Sequence, residues 1–241
     1  MSNFVKILLM DNTSTASSSM YDKYKDQQVP QVIKSQTNWE TLHFYKKSDV
    51  LYQMTFVFCS RFLPQYGDRT VDQMVQAARS GKQNIVEGSA DGATSTEMEL
   101  KLLNVARASI HELREDYRDF LVSRQLSLWQ PGHPRFQPMV DFCTPRNSLE
   151  DYQPFFNRWS SEEMANIALT LCHMIDSMMN KYIKGKEIQF VKEGGIKERM
   201  YAARTGYRKG QDERLALLEK ENAELKAEVE RLRRIIERMG G

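Results

Sequence analysis

The chain has 241 residues, 41% of them hydrophobic and 27% charged, and a formal net charge of +2. That length suits one or two domains with a true core, and so even a charge balance points to no partner by itself. Three widely spaced cysteines without a Cys-x-x-Cys pair argue against a disulfide framework and favour a reducing cytoplasm, and no run approaches the ~20 apolar residues a membrane span needs.

The near-neutral total hides segregation. Residues 181–209 carry nine Lys/Arg against three Glu, a net +6, whereas residues 36–180 carry −4. Basic charge is therefore concentrated in one stretch late in the chain.

Residues 1–36 read as a flexible arm. Phe4–Met10 is too short for a signal-peptide core, and the following tract is rich in Ser, Thr, Asp, Lys and Gln without periodicity. A first helix is predicted over 39–64. Leu51, Met54, Phe58 and Phe62 form one apolar stripe; Tyr45, Tyr52, Phe56, Cys59 and Leu63 form another. Two apolar stripes imply burial on two sides, as in a bundle helix that also meets a neighbouring subunit. Pro64 ends this helix, and Asp68 is the expected N-cap of the next.

Helix two is predicted over 69–89. Val71, Met74, Ala78, Gly81, Ile85 and Gly88 recur at spacings of three and four, so they share one stripe that tapers from Met to Gly. Gly inside a helix costs roughly 0.5–1 kcal/mol relative to Ala, so Gly81 and Gly88 on a seam imply close helix approach. Ser80, Asn84 and Glu87 make a polar stripe beside it. Glu87 sits at the unfavourable end of the helix dipole. Pinning by the next helix's free amides or by Arg107 is the main reading, with a ligand role as the alternative. Thr94 and Glu97 are the expected capping-box pair of a third helix over 95–123, whose seam is Leu103, Ala106, Ile110, Leu113, Tyr117 and Phe120.

Residues 125–159 contain five prolines, which forbid a continuous helix. Trp129, Phe136, Phe142, Tyr152, Phe155, Phe156 and Trp159 are nevertheless too many aromatics for a free linker. A long ordered loop with short helical turns, packed on the bundle, is expected; a binding loop is the alternative. Ser160 and Glu163 cap helix four, predicted over 160–184 and weakened at Gly185. Gly194-Gly195 is a break, followed by a short basic helix over 196–209.

The last 31 residues, 211–241, show heptads: Leu215, Asn222, Val229 and Ile236 at a, and Leu218, Leu225, Leu232 and Met239 at d. Asn222 at a, with Glu221–Lys226 and Glu228–Arg233 as pairs between chains, favours a parallel dimer. The predicted fold is thus all-α: an antiparallel up-and-down four-helix bundle over 37–184 with a Pro/aromatic-rich insertion at 125–159, a basic helical suffix at 185–210, and a C-terminal coiled coil.

Ala78–Gly88 (Ala-Arg-Ser-Gly-Lys-Gln-Asn-Ile-Val-Glu-Gly), a Ser/Thr turn, and Asn104–Leu113 with its Ala-x-x-Ser-x-x-Glu-Leu pattern carry a resemblance. Together they resemble the four-helix-bundle family of 23S rRNA intervening-sequence proteins, which includes accessory variability determinants of diversity-generating retroelements. The resemblance covers about residues 39–122 and, loosely, 160–183. It implies rings of about five subunits and, for some members, work beside retroelement RNA and a reverse transcriptase.

No motif for catalysis emerges. The four His are scattered without metal-ligand spacing, and no phosphate-cradling loop or paired-carboxylate signature is present. No metal or cofactor is expected. The candidate site is the basic stretch: Lys181, Lys184, Lys186, Lys192, Lys197, Arg199, Arg204, Arg208 and Lys209, interleaved with Tyr182, Phe190, Tyr201 and Tyr207. Arg69, Arg79 and Lys82 on helix two are candidates to extend it. Cations among stackable rings suit structured or single-stranded RNA. Two readings follow: an oligomeric, non-enzymatic RNA-binding accessory protein, or a scaffold that recruits a protein through coil and loop.

Overall fold

Five long apolar or amphipathic stretches become five long helices in the computed structural model, which describes residues 32–33, 38–64 and 69–239. They are α1 (His43–Phe62), α2 (Arg69–Asp91), α3 (Thr96–Ser123), α5 (Ser161–Glu193) and α6 (Ile196–Met239); the eight-residue α4 (Phe136–Cys143) lies between α3 and α5. Short 3₁₀ turns occupy Trp39–Thr41, Leu149–Asp151 and Gln153–Phe155, and every regular element among the described residues is helical. The expected arm and the expected N-cap Asp68 lie outside the described residues.

The chain divides into two compact units. One spans Ile33–Ile196; the other contains Val32 and the described residues from 197 onward. In the first, α1 packs on α2 and α5, and α3 packs on α2 and α5, so each of these four helices meets two of the others. Leu51, Met54, Phe58, Met74, Ile85, Leu103, Leu113, Leu171 and Ile175 are essentially fully buried between them. Of the two α1 stripes, that of Leu51, Met54 and Phe58 is core, and the other contributes only Cys59 to it. On the other, Tyr45 and Tyr52 are half-buried and Phe56 is 60% exposed.

The α2–α3 seam follows the taper of its sequence. At Gly81 a Cβ would lie 2.7 Å from Ile110 Cδ1, and at Gly88 one would lie 3.3 Å from the Glu99 carbonyl. Beside it, Ser80 Oγ meets Ser109 Oγ at 2.9 Å, and Asn84 Nδ2 donates to the Ser80 carbonyl at 2.9 Å. Glu87, the third member of that polar stripe, is exposed instead of pinned, and Arg107 is held by Asp176 at 2.9 Å. The reason is that α2 continues through Asp91, so Glu87 is a full turn inside the helix and not at its end. The N-cap of α3 also moves by one residue: Ser95 accepts from Met98 N, whereas Thr94 Oγ1 donates back to Asp91 O.

The insertion is ordered by polar staples as well as by its rings. Trp129 N–H donates to Asn166 Oδ1 (2.8 Å), Trp129 Nε1–H to Glu162 Oε1 (3.0 Å), and Asn166 Nδ2 returns a bond to Ser127 O (2.9 Å). Lys47, only 3% exposed on α1, donates to the carbonyls of Cys143 and Arg146 at 2.7 and 2.6 Å, closing the end of α4. Burial pulls its ammonium below the usual lysine range. Phe142, Tyr152, Phe155 and Trp159 pack ring against ring over this corner. Pro138 sits in the first turn of α4, where its missing N–H costs nothing.

In the second unit α6 is a single 44-residue helix. The expected separation of a short basic helix from a heptad segment is not seen: the helix runs through Gly206 and Gly210 unbroken. The break before it is at Gly194, where φ is +71°, a value glycine reaches without a Cβ penalty. Likewise α5 passes Gly185 without interruption. No helix among the described residues is long and apolar enough to cross a membrane.

Candidate nucleic-acid interface

The nine cations of the basic stretch fall on two helices and into different surroundings. On α5, Lys181, Lys184 and Lys192 are exposed. Lys186 is not a surface cation. Its Nζ lies 2.9 Å from Oε1 of the buried Glu99 and 5.2 Å from the centre of the Tyr182 ring. Tyr182 donates its hydroxyl to the same carboxylate at 2.9 Å, so this ring is also committed internally. The α2 residues fare similarly. Lys82 pairs with Asp49 at 2.5 Å. Arg69 stands in a groove lined by Asp72, Glu112 and Asp116, a poor setting for a phosphate, and only Arg79 is an exposed cation away from those acids. Crowding by Glu112 and Asp119, after burial, raises the Asp116 carboxyl above its ordinary range, which marks that groove as acidic.

On α6 the pattern differs. Lys197, Tyr201, Arg204 and Arg208 recur at spacings of four, three and four, which puts them on one helical face, with Lys209 adjoining. Lys197, Arg204, Arg208 and Lys209 are exposed, and none has a carboxylate partner among the described residues; Arg199 is half-buried. Tyr201 is 73% exposed and Tyr207 is 40% exposed. Tyr201 and Arg204 line two adjoining shallow hollows. One is shared with Lys197, Met200 and Tyr207, the other with Arg208, Lys209 and Asp212. Every cation here sits beside a ring or a second cation; the acids nearby are Glu198, within the stretch, and Asp212, which borders the hollow of Arg208 and Lys209.

No protein-family model, curated protein or solved structure matches the chain.

Further along α6 the surface changes character. Lys220–Glu224, Arg231–Glu228 and Arg234–Glu230 form ion pairs within the helix at 3.5–4.0 Å. Between them Leu215, Leu225, Val229, Leu232, Ile236 and Met239 are exposed, with Leu218 half-buried and Asn222 exposed. An isolated helix with an apolar row of this length is incompletely covered.

The buried thiols and Asp176 are structural in their contacts. Cys59, Cys143 and Cys172 are buried free thiols, and burial pushes Cys143 up to about 11, so it stays protonated and unreactive. Although partial burial opposes it, hydrogen bonds from Arg107 and His111, both at 2.9 Å, hold the Asp176 carboxyl below its ordinary range. Among the described residues no group of His, Cys, Asp and Glu has the arrangement to hold a metal ion. Sequence reasoning missed Lys47 and Glu99, because a lone charged residue carries no periodic signal of burial.

Proposed function

We propose that this is a non-enzymatic, oligomeric RNA-binding accessory protein that grips its RNA through the exposed basic face of α6. The observation that carries the reading is the continuity of α6. One rigid helix joins a stretch of exposed cations (Lys197, Arg204, Arg208 and Lys209) and exposed rings to an apolar a/d row (215–239) left largely exposed among the described residues. Pairing of that row with a second copy as a parallel coiled coil aligns two basic faces side by side. The local charge then doubles although each chain is nearly neutral. Phosphates take the cations, and unpaired bases stack on Tyr201 and Tyr207.

In this reading α1, α2, α3 and α5 form an antiparallel four-helix bundle. The Ala78–Gly88 and Asn104–Leu113 motifs support kinship with the intervening-sequence proteins and hence a ribonucleoprotein setting, possible reverse-transcriptase company included. A five-fold bundle ring and a two-fold coil do not share symmetry, so coils of one ring pair among themselves incompletely or with those of another. The alternative, a scaffold that recruits a protein through coil and insertion, draws on the same exposed row and gives the exposed cations Lys197, Arg204, Arg208 and Lys209 no role.

Changing Lys197, Arg199, Arg204 and Arg208 together to Glu should abolish RNA binding in a gel-shift assay while leaving helicity and oligomer mass unchanged. Reversing Lys220, Arg231 and Arg234, which already have acidic partners, should do far less. For the parent, four phosphate contacts on single-stranded RNA predict a loss of roughly 50-fold in affinity between 50 and 200 mM salt. A quadruple variant that binds as well as the parent would leave only the scaffold reading.

A further inference from the structure

The unit Ile33–Ile196 contains a cavity of about 850 Å³ between α3, the insertion and α5, with Lys47 of α1 also on its wall. Its volume falls in the range of small-molecule sites, roughly 300–1,000 Å³. The inner surface is mainly apolar: Leu128, Trp129, Phe136, Val140, Leu169 and Met174. Trp129 is fixed there by its two hydrogen bonds to Asn166 and Glu162, so the wall is preformed.

The charges on that wall do not balance. Lys47, Arg114 and Arg118 face a single acid, Glu115. Arg114 takes Glu115 at 2.9 Å through both Nε and Nη2 contacts near that distance, while Arg118 Nη1 stands 3.7 Å from the same carboxylate with its side chain 57% exposed. Two guanidinium forks thus share one carboxylate, and Arg118 keeps most of its donors free. Lys47, satisfied only by two backbone carbonyls, has no carboxylate ion-pair partner among the described residues. Its charge adds to the positive potential of a low-dielectric wall.

We propose that this cavity binds an amphipathic monoanion, an apolar body bearing one carboxylate, with the head held by Arg118 and Arg114 and the body lying along Trp129, Phe136 and Leu169. A guanidinium fork matches a carboxylate bidentately, and the apolar wall supplies the burial that a free anion lacks. A neutral or cationic ligand with the same body would leave the excess positive charge uncompensated.

The test uses three probes with one tail and different heads: dodecanoate, dodecanol and dodecyltrimethylammonium, each below its micellar concentration. Each displaces the fluorescent dye 1-anilinonaphthalene-8-sulfonate from the full-length protein, with calorimetry as a second readout. Dodecanoate should bind about tenfold more tightly than dodecanol, and the cation most weakly. Arg118→Gln, on the exposed rim where folding is not at stake, should bring dodecanoate and dodecanol to within about threefold of each other. Val140→Trp, which fills the cavity from its wall, should weaken both while leaving the oligomer mass unchanged. Equal affinity for all three heads in the parent would overturn the proposal, as would a Val140→Trp variant that binds dodecanoate unchanged. A Val140→Trp variant whose oligomer falls apart would also overturn it, because the cavity would then be a seat for a second copy.

Discussion

Glu99 is 1% exposed between α3 and α5, with Lys186 Nζ and Tyr182 Oη each 2.9 Å from Oε1. Burial alone lowers the lysine, but the hydrogen bond and charge of Glu99 outweigh it, so the ammonium sits above its ordinary 10.5. A folded-state value above the unfolded one means that the pair's stabilisation is fully present below pH 10.5 and fades as pH rises through the higher folded value. Lys186→Met leaves a buried carboxylate uncompensated and should cost about 3 kcal/mol at neutral pH, read as a fall in the denaturation midpoint. Adding Glu99→Met to the same chain should recover much of that loss, since an apolar pair removes the stranded charge. Additive losses in the double variant would refute the coupling. The same residue illustrates the limit of counting charges, because Lys186 reads like its neighbours Lys181 and Lys184 until Glu99 is placed beside it.

At the scale of the element, α2 and α3 approach closely because their facing stripe narrows to Gly81 and Gly88. The two glycines respond differently to a side chain. The atom a Gly81 Cβ would meet is the tip of Ile110, which can rotate, whereas at Gly88 it would meet backbone. Gly81→Ala should therefore be close to neutral, the gain in helix propensity of about 1 kcal/mol offsetting a small shift of Ile110. Gly81→Leu should cost about 2 kcal/mol through overpacking, a drop of roughly 4–8 °C in melting temperature. A leucine variant as stable as the parent would mean that the seam is looser than these distances state. The α4 corner shows the opposite dependence. Its eight residues are too short to hold themselves, and Lys47 from α1 binds the carbonyl of the last of them, Cys143, together with that of Arg146 just beyond.

At the scale of the whole molecule, α6 is about 66 Å long at 1.5 Å per residue, and its apolar row is left largely exposed among the described residues. The proposed parallel coiled coil would cover it. Leu218→Asp with Leu225→Asp, both at d, should reduce the mass measured by light scattering and lower helicity. The thermal transition of the unit Ile33–Ile196 should stay where it is, because its core uses none of these residues. An unchanged mass would assign assembly to another surface, and the half-covered stripe around Phe56 on α1 is the next to examine.

What the sequence determined by itself were the quantities that repeat. Spacings of three and four residues located α1, α2, α3 and α5 and their buried stripes, prolines marked the insertion, and heptads marked the uncovered row of α6. Each of these is a local periodicity that any chain segment displays without its neighbours. Only the tertiary structure decided the rest. It joined the basic segment to the heptads, since a Gly within a helix costs about 1 kcal/mol and does not break it. It carried α2 past Gly88, and so left Glu87 facing solvent. It withdrew Lys186 and Lys82 from the cationic surface, set Arg69 among acids, and brought Lys47 of α1 to a cavity between α3, the insertion and α5. Those outcomes depend on which charge meets which partner across the fold, and ion pairs between residues tens of positions apart, such as Glu99–Lys186 and Asp49–Lys82, leave no periodic trace in the chain.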